Sequence, residues 1–458
     1  METGTSKAPP RPLRVALAGV GTVGAGVVRL LDANARLIEA RAGRAIRVVA
    51  VSARDRDKDR GVDLSPFAWC DDMTAMAARD DVDAVVELVG GADGPALTLA
   101  RNAIAGGKAL VTANKAMIAH HGLALGEAAE AAGVPLKFEA AVAGGIPIIK
   151  GLREGAAANA IDRVQGILNG TCNFILSTME DTGRDFADVL AEAQAKGFAE
   201  ADPTLDIEGI DAGHKLAILA AIAFGARLDL DHVSCEGIAR VRAADIARAR
   251  DLGFVIRLVG EADVEQSGSG GAARLLQRVR PCLVPRDHPL AHVDGPTNAV
   301  VAQGNYSGRL LFQGAGAGDG PTASAVVADL IDIARWAARN GSAGGDAGGE
   351  TGGAFSIPVG ALVAMAPAEP GERRGRTYIR FTVADRPGVL AEITAAMRDA
   401  EVSIESLIQQ GEPDEAGEVL VAMVTHEGAE RCVSEALRLL DGSASLTAAP
   451  LVMPILAA

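Results

Sequence analysis

Short apolar runs separated by helical patterns open the chain. Residues 13–18 form the first run and residues 46–51 the second. Between them Val27, Leu31 and Ile38 fall on one helical stripe, which predicts a single continuous helix. The chain therefore begins with a strand, a helix and a strand.

A glycine-rich turn joins the first strand to that helix. Glycines at such a turn permit close approach of a pyrophosphate, and the helix N-terminus supplies N–H donors and the positive end of its dipole. The strand–turn–helix context predicts a dinucleotide-binding site, with a ligand-free glycine turn as the alternative. The candidate residues, at G-x-G-x-x-G spacing, are Gly19, Gly21, Thr22, Val23 and Gly24.

Two further apolar runs extend a parallel sheet. They cover residues 84–89 and 108–112, and residues 95–105 between them have the pattern of a crossover helix. Ligands of such sheets bind at the carboxyl ends of the strands, so the residues that follow these runs should face the cofactor crevice. They are Gly90, Thr112, Asn114 and Lys115.

The second half of the chain contains three changes of pattern. The glycine run at residues 314–320 precedes a helical pattern at 322–339, which favours a loop leading into a helix N-terminus over a plain linker. Residues 340–353 are rich in Gly, Ser and Asp and predict a flexible linker. The remaining strand and helix patterns follow the order βαββαβ, which predicts a small ferredoxin-like domain.

Composition and charge narrow the class of protein. The 458 residues are 49% hydrophobic and 3% aromatic with 54 glycines, which is typical of a multi-domain α/β enzyme. A net charge of −15 disfavours binding to nucleic acid or to an anionic membrane. The 5 cysteines are scattered without C-x-x-C spacing, which indicates a reducing compartment and predicts a cytoplasmic protein.

Carboxylates and a lysine precede a long apolar helix within residues 197–215. Asp211 and Lys215 are spaced i, i+4, so they share a helix face that continues as an apolar stripe. Charges at the start of a buried helix must pair or line a cavity, because an isolated buried ion is costly. An ordinary surface ion pair is the alternative, and the nearby carboxylates Glu200 and Asp206 disfavour it.

A lysine beside carboxylates has a use in a nicotinamide enzyme. Hydride transfer to a carbonyl requires a proton for the developing alkoxide, and an ammonium group next to a carboxylate can deliver it. Glu200 and Asp211 could also hold a cationic amino group. The stretch therefore predicts an amino-acid-like substrate.

Together these motifs resemble the homoserine dehydrogenase family, whose members interconvert L-aspartate 4-semialdehyde and L-homoserine for threonine, methionine and isoleucine biosynthesis. The resemblance implies a Rossmann-type nucleotide-binding domain at 1–137, completed by 314–339, and an α+β substrate and dimerisation domain at 138–313. It also implies a ferredoxin-like ACT regulatory domain at 376–458. The segments that carry it are residues 19–24, 112–115, 169–173, 197–215, 314–318 and the C-terminal domain.

The same resemblance implies roles for individual residues. It makes Lys215 the acid/base, with Lys115 as a second catalytic candidate near the cofactor and the reacting carbonyl. Substrate contacts fall on Glu200, Asp206 and Asp211. Further cofactor contacts fall on Gly197 and Gly318. A sodium or potassium ion would be held mostly by backbone carbonyls of Glu139, Val142, Gly144 and Ile146, for which a plain glycine turn is the alternative.

Cofactor preference is predicted from the end of the second strand. Arg54 is the first charged residue there and favours the 2′-phosphate of NADP, whereas Asp55 leaves NAD possible. A solvated loop of mixed charge is the third reading.

The C-terminal domain is expected to bind an amino-acid effector, with threonine as the effector usual in the family. Its candidate residues are Asp385 and Gly388, in the turn after the first strand of the domain. The resemblance further implies a homodimer or homotetramer. A non-catalytic amino-acid sensor on a degenerate dehydrogenase scaffold, or another amino-acid dehydrogenase, are the competing hypotheses, and the intact carboxylates and lysine argue against them.

Overall fold

The structure is a computed structural model that describes residues 10–266, 273–340, 353–409 and 417–457. Most of the predicted linker at 340–353 lies outside the described residues. The chain divides into two units, each described by itself. Unit 1 holds the described parts of Met1–Val164, His214–Asp231 and Ala302–Met365, and unit 2 those of Gln165–Gly213, His232–Val301 and Ala366–Ala458.

Strands and helices alternate through the first half of the chain. The strands are β1 (Leu13–Ala18), β2 (Ile46–Ser52), β3 (Ala68–Trp69), β4 (Ala84–Glu87), β5 (Ala109–Thr112), β6 (Leu136–Lys137), β7 (Ile161–Ile167), β8 (Ser234–Cys235), β9 (Phe254–Gln266), β10 (Ala273–Pro285), β11 (Thr297–Gly304), β12 (Gly308–Ala315), β13 (Ala366–Pro367), β14 (Arg374–Gly375), β15 (Thr377–Ala384), β16 (Ile404–Gln409), β17 (Glu418–Thr425), β18 (Gly428–Ala429) and β19 (Leu446–Pro454). The helices are α1 (Thr22–Ala33), α2 (Ala35–Ala42), α3 (Pro95–Ala105), α4 (Lys115–Ala132), α5 (Ile148–Lys150), α6 (Gly170–Thr182), α7 (Phe186–Ala195), α8 (Thr204–Ile207), α9 (Ile210–Phe224), α10 (Ala243–Asp251), α11 (Asp319–Asn340), α12 (Val389–Asp399) and α13 (Glu430–Leu439).

Unit 1 contains a parallel sheet in the order β3-β2-β1-β4-β5-β6. This is the order of a Rossmann fold, in which the strand sequence reverses beside β1 and leaves a crevice at the carboxyl ends. Val15 and Leu17 of β1 are fully buried and belong to the same core as Val326 and Leu330 of α11. Helix α11 therefore packs on the nucleotide-binding sheet although it comes late in the sequence.

The predicted helix after β1 is wrong in one respect, because the structure has two helices there. Asn34 separates α1 from α2 and turns its N–H toward the carbonyl oxygens of both Leu30 and Asp32. This tightens the backbone at the end of α1, and α2 then continues to a left-handed Gly43. Leu31 consequently stays partly exposed, whereas Ile38 is buried as the stripe predicts.

Unit 2 is built on the long antiparallel pair of β9 and β10, on which β8 and β13 pair with β10 in parallel. The C-terminal domain adds a separate sheet in the order β16-β17-β15-β19, with α12 and α13 packed on it. Its order β15-α12-β16-β17-α13-β19, with the short β18 between β17 and α13, confirms the predicted ferredoxin-like domain.

Buried ion pairs fasten the C-terminal domain to the rest of unit 2. Glu261 on β9 accepts hydrogen bonds from Arg278 on β10 at 3.0 Å and from Arg373, which precedes β14, at 2.5 Å. Burial acts to raise the pKa of Glu261, but Arg373 and Arg278 outweigh it and lower this pKa. Asp245 on α10 accepts a hydrogen bond from Arg380 on β15 at 2.7 Å.

A second network of charged residues joins α5 to α11 in unit 1. The Lys150 ammonium is 2.6 Å from Asp332 and 3.5 Å from Asp329, whose side chain is 1% exposed. Asp329 also accepts a hydrogen bond from the backbone N–H of Glu139 at 2.9 Å. Lys150 thus compensates a carboxylate that water does not reach.

We expect Lys150→Met to lower the free energy of unfolding by about 3–5 kcal/mol, because it leaves Asp329 buried without its cation. Lys196→Met is the matched control, since Lys196 is 53% exposed and pairs with Glu192 one helical turn away. Its loss should cost no more than about 0.5 kcal/mol. Urea unfolding of both variants measures the difference, and equal losses would contradict the role given to Lys150.

Candidate active site

A buried carboxylate organises the carboxyl ends of β4 and β5. Glu87 Oε1 accepts hydrogen bonds from the backbone N–H groups of Val89 at 2.7 Å and Gly90 at 3.0 Å. Its Oε2 accepts one from Thr112 Oγ1 at 2.6 Å. Glu87 therefore fixes the loop after β4 against the end of β5. Sequence analysis missed it, although a lone acid inside an apolar strand pattern was an available signal.

Helix α4 begins beside that loop. Asn114 caps it, since its Oδ1 accepts a hydrogen bond from the Met117 N–H at 3.0 Å, and its Nδ2 donates to the Gly91 carbonyl at 2.7 Å. Lys115 is the first residue of α4 and is partly exposed. The structure thus brings Gly90, Thr112, Asn114 and Lys115 to the carboxyl edge of the parallel sheet, where the sequence placed them.

The glycine-rich turn lies at the same edge of the sheet. Gly19 adopts φ +98° and donates its N–H to the Ser52 carbonyl at 2.9 Å. A Cβ at Gly24 would lie 2.3 Å from the Gly19 carbonyl oxygen, so only glycine lets α1 start this close to the turn. Gly21, Thr22 and Val23 complete the turn and the start of α1.

Helix α11 approaches α1 next to this turn. A Cβ at Gly26 would lie 2.8 Å from the Asp319 carbonyl oxygen, and Arg29 forms an ion pair with the Asp319 carboxylate at 2.8 Å. Gly318, with φ +120°, directly precedes Asp319. The structure therefore brings Gly318 close to the dinucleotide fingerprint, as its predicted cofactor role requires.

The loop after β2 carries several arginines. Arg54 is exposed. Arg60 donates from Nε to the Val20 carbonyl of the glycine-rich turn at 2.6 Å. The guanidinium groups of Arg56 and Arg60 lie 5.7 and 6.0 Å from the centre of the Trp69 ring. Sequence analysis missed Arg60, because its contact with the turn depends on how the loop folds back.

The predicted cation loop is buried except at Gly145. Ala143 and Gly144 adopt φ of +54° and +52°, so the backbone turns sharply there. The carbonyls of Glu139 and Ile146 accept hydrogen bonds from Val142 N–H at 3.4 Å and Ile148 N–H at 2.8 Å, which leaves one lone pair on each. Backbone oxygens of this kind fit sodium or potassium.

The Glu139 side chain serves a different purpose. Its two oxygens accept hydrogen bonds from the backbone N–H groups of Ile149 and Lys150, both at 2.9 Å. Burial, reinforced by Asp329, raises the pKa of Glu139 to about 7. Across the described residues, no group of three His, Cys, Asp or Glu side chains could hold a metal ion.

Two of the predicted substrate residues lie together in unit 2. Asn169 Nδ2 donates one hydrogen bond to Asp206 Oδ1 at 2.7 Å and another to Asp211 Oδ2 at 2.9 Å. Asp211 is 7% exposed and stands in the first turn of α9. Asn169 thus links the buried Asp211 carboxylate to the partly exposed Asp206 carboxylate.

Glu200 lies outside this cluster. Its side chain is exposed, and its carbonyl accepts a hydrogen bond from Gln194 Nε2 at 3.1 Å. Gly197 adopts φ +75° in the same segment, and Thr171 Oγ1 donates to the Phe198 carbonyl at 2.7 Å. The segment that carries both residues is therefore tied to the start of α6.

Lys215 occupies the second turn of α9 and is partly exposed. From Leu216 to Ile222 the helix is buried throughout, as its apolar composition predicts. The lysine is thus the last charged residue before the buried part of α9.

None of the helices in the described ranges is long and apolar enough to cross a membrane.

Comparison with known proteins identifies the family. The family model for homoserine dehydrogenase matches residues 147–331, the model for its NAD binding domain matches 19–139, and the ACT domain model matches 377–438. A homoserine dehydrogenase of Pseudomonas aeruginosa is 42% identical over 431 residues, which cover 94% of this chain and 96% of that protein. The chain belongs to the homoserine dehydrogenase family. It is an oxidoreductase with a Rossmann-type NAD-binding domain and a C-terminal ACT domain.

Solved structures agree with this assignment to the family. The crystal structure of a homoserine dehydrogenase from Thiobacillus denitrificans covers 97% of this chain and 98% of its own, with a TM-score of 0.88 and 40% identity. A hyperthermophilic archaeal homoserine dehydrogenase in complex with NADPH covers 70% of this chain and 98% of its own, with a TM-score of 0.58 and 26% identity. The catalytic hypothesis is therefore favoured over a non-catalytic sensor.

Proposed function

We propose that the chain interconverts L-aspartate 4-semialdehyde and L-homoserine with Lys215 as the acid/base. The observation that carries this proposal is the pair of Asp206 and buried Asp211, joined by Asn169, in the segment that leads to Lys215 on α9. Hydride transfer requires a proton at the substrate oxygen, and an ammonium group is a suitable donor. Lys115, at the start of α4 and the carboxyl edge of the sheet, would contact cofactor and carbonyl.

The carboxylates would bind the amino group of homoserine. Asp206 and Asp211 present two negative charges held at one place, and a charge-assisted hydrogen bond to an ammonium is stronger than a neutral one. Glu200 is exposed in the described structure and would complete the contact from the adjacent segment. The substrate is therefore an amino acid rather than a simple aldehyde or alcohol.

A monovalent cation, sodium or potassium, would bind the carbonyls of Glu139, Val142, Gly144 and Ile146. The buried position of this loop and its two successive left-handed residues support the proposal. A cation there would order the backbone between β6 and α5.

We expect Lys215→Ala to lower kcat for homoserine oxidation by about two to four orders of magnitude, as loss of a general acid/base usually does. NADP affinity, measured by calorimetry, should stay unchanged. Lys196→Ala is the control and should keep full activity, because Lys196 is an exposed lysine directly after α7. Near-normal turnover of Lys215→Ala would transfer the acid/base role to Lys115.

NADP is the proposed cofactor. Arg54 is exposed at the carboxyl end of β2, where the 2′-phosphate of NADP would lie, and Arg56 and Arg60 stand in the same loop. The archaeal relative solved with NADPH supports the same choice.

Arg54→Ala should raise the Michaelis constant for NADP by about 10- to 100-fold, the equivalent of one charge-assisted hydrogen bond, and that for NAD by much less. Arg47→Ala is the control, because Arg47 is an exposed residue at the opposite end of β2. Equal losses with both cofactors would mean that Arg54 belongs only to a solvated loop.

The ACT domain would bind threonine as an inhibitor, in a homodimer or homotetramer. A cavity of about 170 Å³ is lined by residues 383–390 and Gln409, and includes the predicted Asp385 and Gly388. Arg386 donates to Ser445 Oγ at 2.9 Å, and Asp385 N–H donates to the Gly417 carbonyl at 3.1 Å, so the turn is held in place. A small amino acid suits a cavity of this size.

Threonine should inhibit the intact enzyme, and Asp385→Ala should raise the half-inhibitory concentration by about tenfold while kcat stays unchanged. Asp399→Ala, at the exposed end of α12, is the control. The full chain is used because removal of the ACT domain would leave Asp245 buried without Arg380. An intact enzyme that ignores threonine would overturn the assignment of threonine as the effector.

A further inference from the structure

We propose that Asn169 is a positioning residue for the substrate: its side-chain amide holds the carboxylates of Asp206 and Asp211 together. The inference rests on the proposed substrate role of these two aspartates. It adds a residue that does not touch the substrate but determines where two groups that do are placed.

All polar atoms of the Asn169 side chain are engaged. Its Oδ1 accepts a hydrogen bond from the Cys172 N–H at 2.8 Å, and its Nδ2 donates to Asp206 at 2.7 Å and to Asp211 at 2.9 Å. These partners determine the orientation of the amide. In the flipped orientation, the amide oxygen would face the two carboxylates and the amide nitrogen would face the Cys172 N–H, and neither contact could form a hydrogen bond. The side chain is buried, with the residue 4% exposed.

Helix capping alone does not account for an asparagine at this position. Asn169 lies between β7 and α6 with φ −124° and ψ 112°, the backbone conformation of an N-cap residue. Aspartate and serine cap helices about as well as asparagine does. Neither can accept the capping hydrogen bond and also donate two hydrogen bonds to carboxylates. The second task therefore selects the amide.

The two hydrogen bonds from Asn169 act on the protonation of the carboxylates. Two negative charges bound to one nitrogen repel each other, and such repulsion favours protonation of one member. Hydrogen bonds to the ionised form oppose that shift. With both donors present, the pair can offer two negative charges to a substrate ammonium.

The anchoring elements make the arrangement rigid. Cys172 Sγ donates to the Asp206 carbonyl at 3.1 Å, so the first turn of α6 is tied to α8 both through the Asn169 side chain and through the α8 backbone. Asp211 follows α8 in the chain and lies in the first turn of α9. Asn169 thus links the end of a central strand to the two helices that carry the aspartates.

The test compares two substitutions in the full-length enzyme. Asn169→Asp keeps the size and the helix cap but replaces both donors by a third carboxylate. In this variant, the acidic limb of the pH profile of kcat/KM for homoserine should move to higher pH by about one unit or more. The KM for homoserine should rise at least tenfold, with a smaller change in kcat. Asn169→Ser keeps the helix cap without adding a charge. Its KM for homoserine should therefore rise, while the acidic limb of its pH profile should move less than that of Asn169→Asp.

Asn298→Asp separates positioning from stability. Asn298 is another buried asparagine of unit 2, whose Nδ2 donates to the Leu168 carbonyl at 3.1 Å. Its substitution should lower the unfolding temperature without moving the pH profile. NADP affinity should stay the same in all three variants, which also shows that each is folded.

Two further variants separate this inference from the proposed substrate site. If Asp206→Asn and Asp211→Asn leave the KM for homoserine unchanged, the substrate role of these carboxylates is wrong and the inference falls with it. If both raise KM while Asn169→Asp leaves KM and the pH profile unmoved, only the positioning role of Asn169 is overturned. If Asn169→Asp does not fold, Asn169→Ser decides, and an unchanged KM in that variant overturns the inference.

Discussion

Buried carboxylates, each satisfied by donors from another element, hold the working parts of this enzyme in place. Glu87 joins the ends of two parallel strands, and Glu261 joins the β9–β10 pair to Arg373, in the segment that leads into the ACT domain. Asp206 and Asp211 are held by Asn169, which follows β7. An uncompensated buried charge is costly, so each carboxylate admits only the arrangement in which its donors are present. In the proposed substrate site, the same property would hold Asp206 and Asp211 ready for an ammonium group.

The sequence was informative wherever function depends on local geometry. The fingerprint at residues 19–24 requires a strand, a turn and a helix in succession, and all three are within a short stretch of chain. The same holds for Asp211 and Lys215, whose spacing on α9 follows from helix periodicity alone. The βαββαβ order of the ACT domain likewise follows from alternating patterns of period two and 3.6.

Residues that act across long stretches of sequence were not predictable in this way. Glu87 ends an apolar strand, and its bond to Thr112 appears only when β4 and β5 pair. Asn169 belongs to a recognised motif, but its contacts with Asp206 and Asp211 depend on the return of the chain through α8 and α9. The interruption at Asn34 was missed because helix periodicity continues through it. For Glu87 and Asn169, tertiary packing and not local preference decides the outcome.

The late position of α11 has a consequence for how the enzyme is made. Val326 and Leu330 of this helix complete the same core as β1, and Gly26 of α1 lies against its first residue. During synthesis the nucleotide-binding sheet must therefore wait for chain that emerges some three hundred residues later, which at about 5–20 residues per second takes on the order of tens of seconds. Until then the face of the sheet that α11 covers stays apolar and unprotected. Transiently exposed apolar surface makes a folding intermediate prone to aggregate, so slow translation before α11 would prolong that exposure.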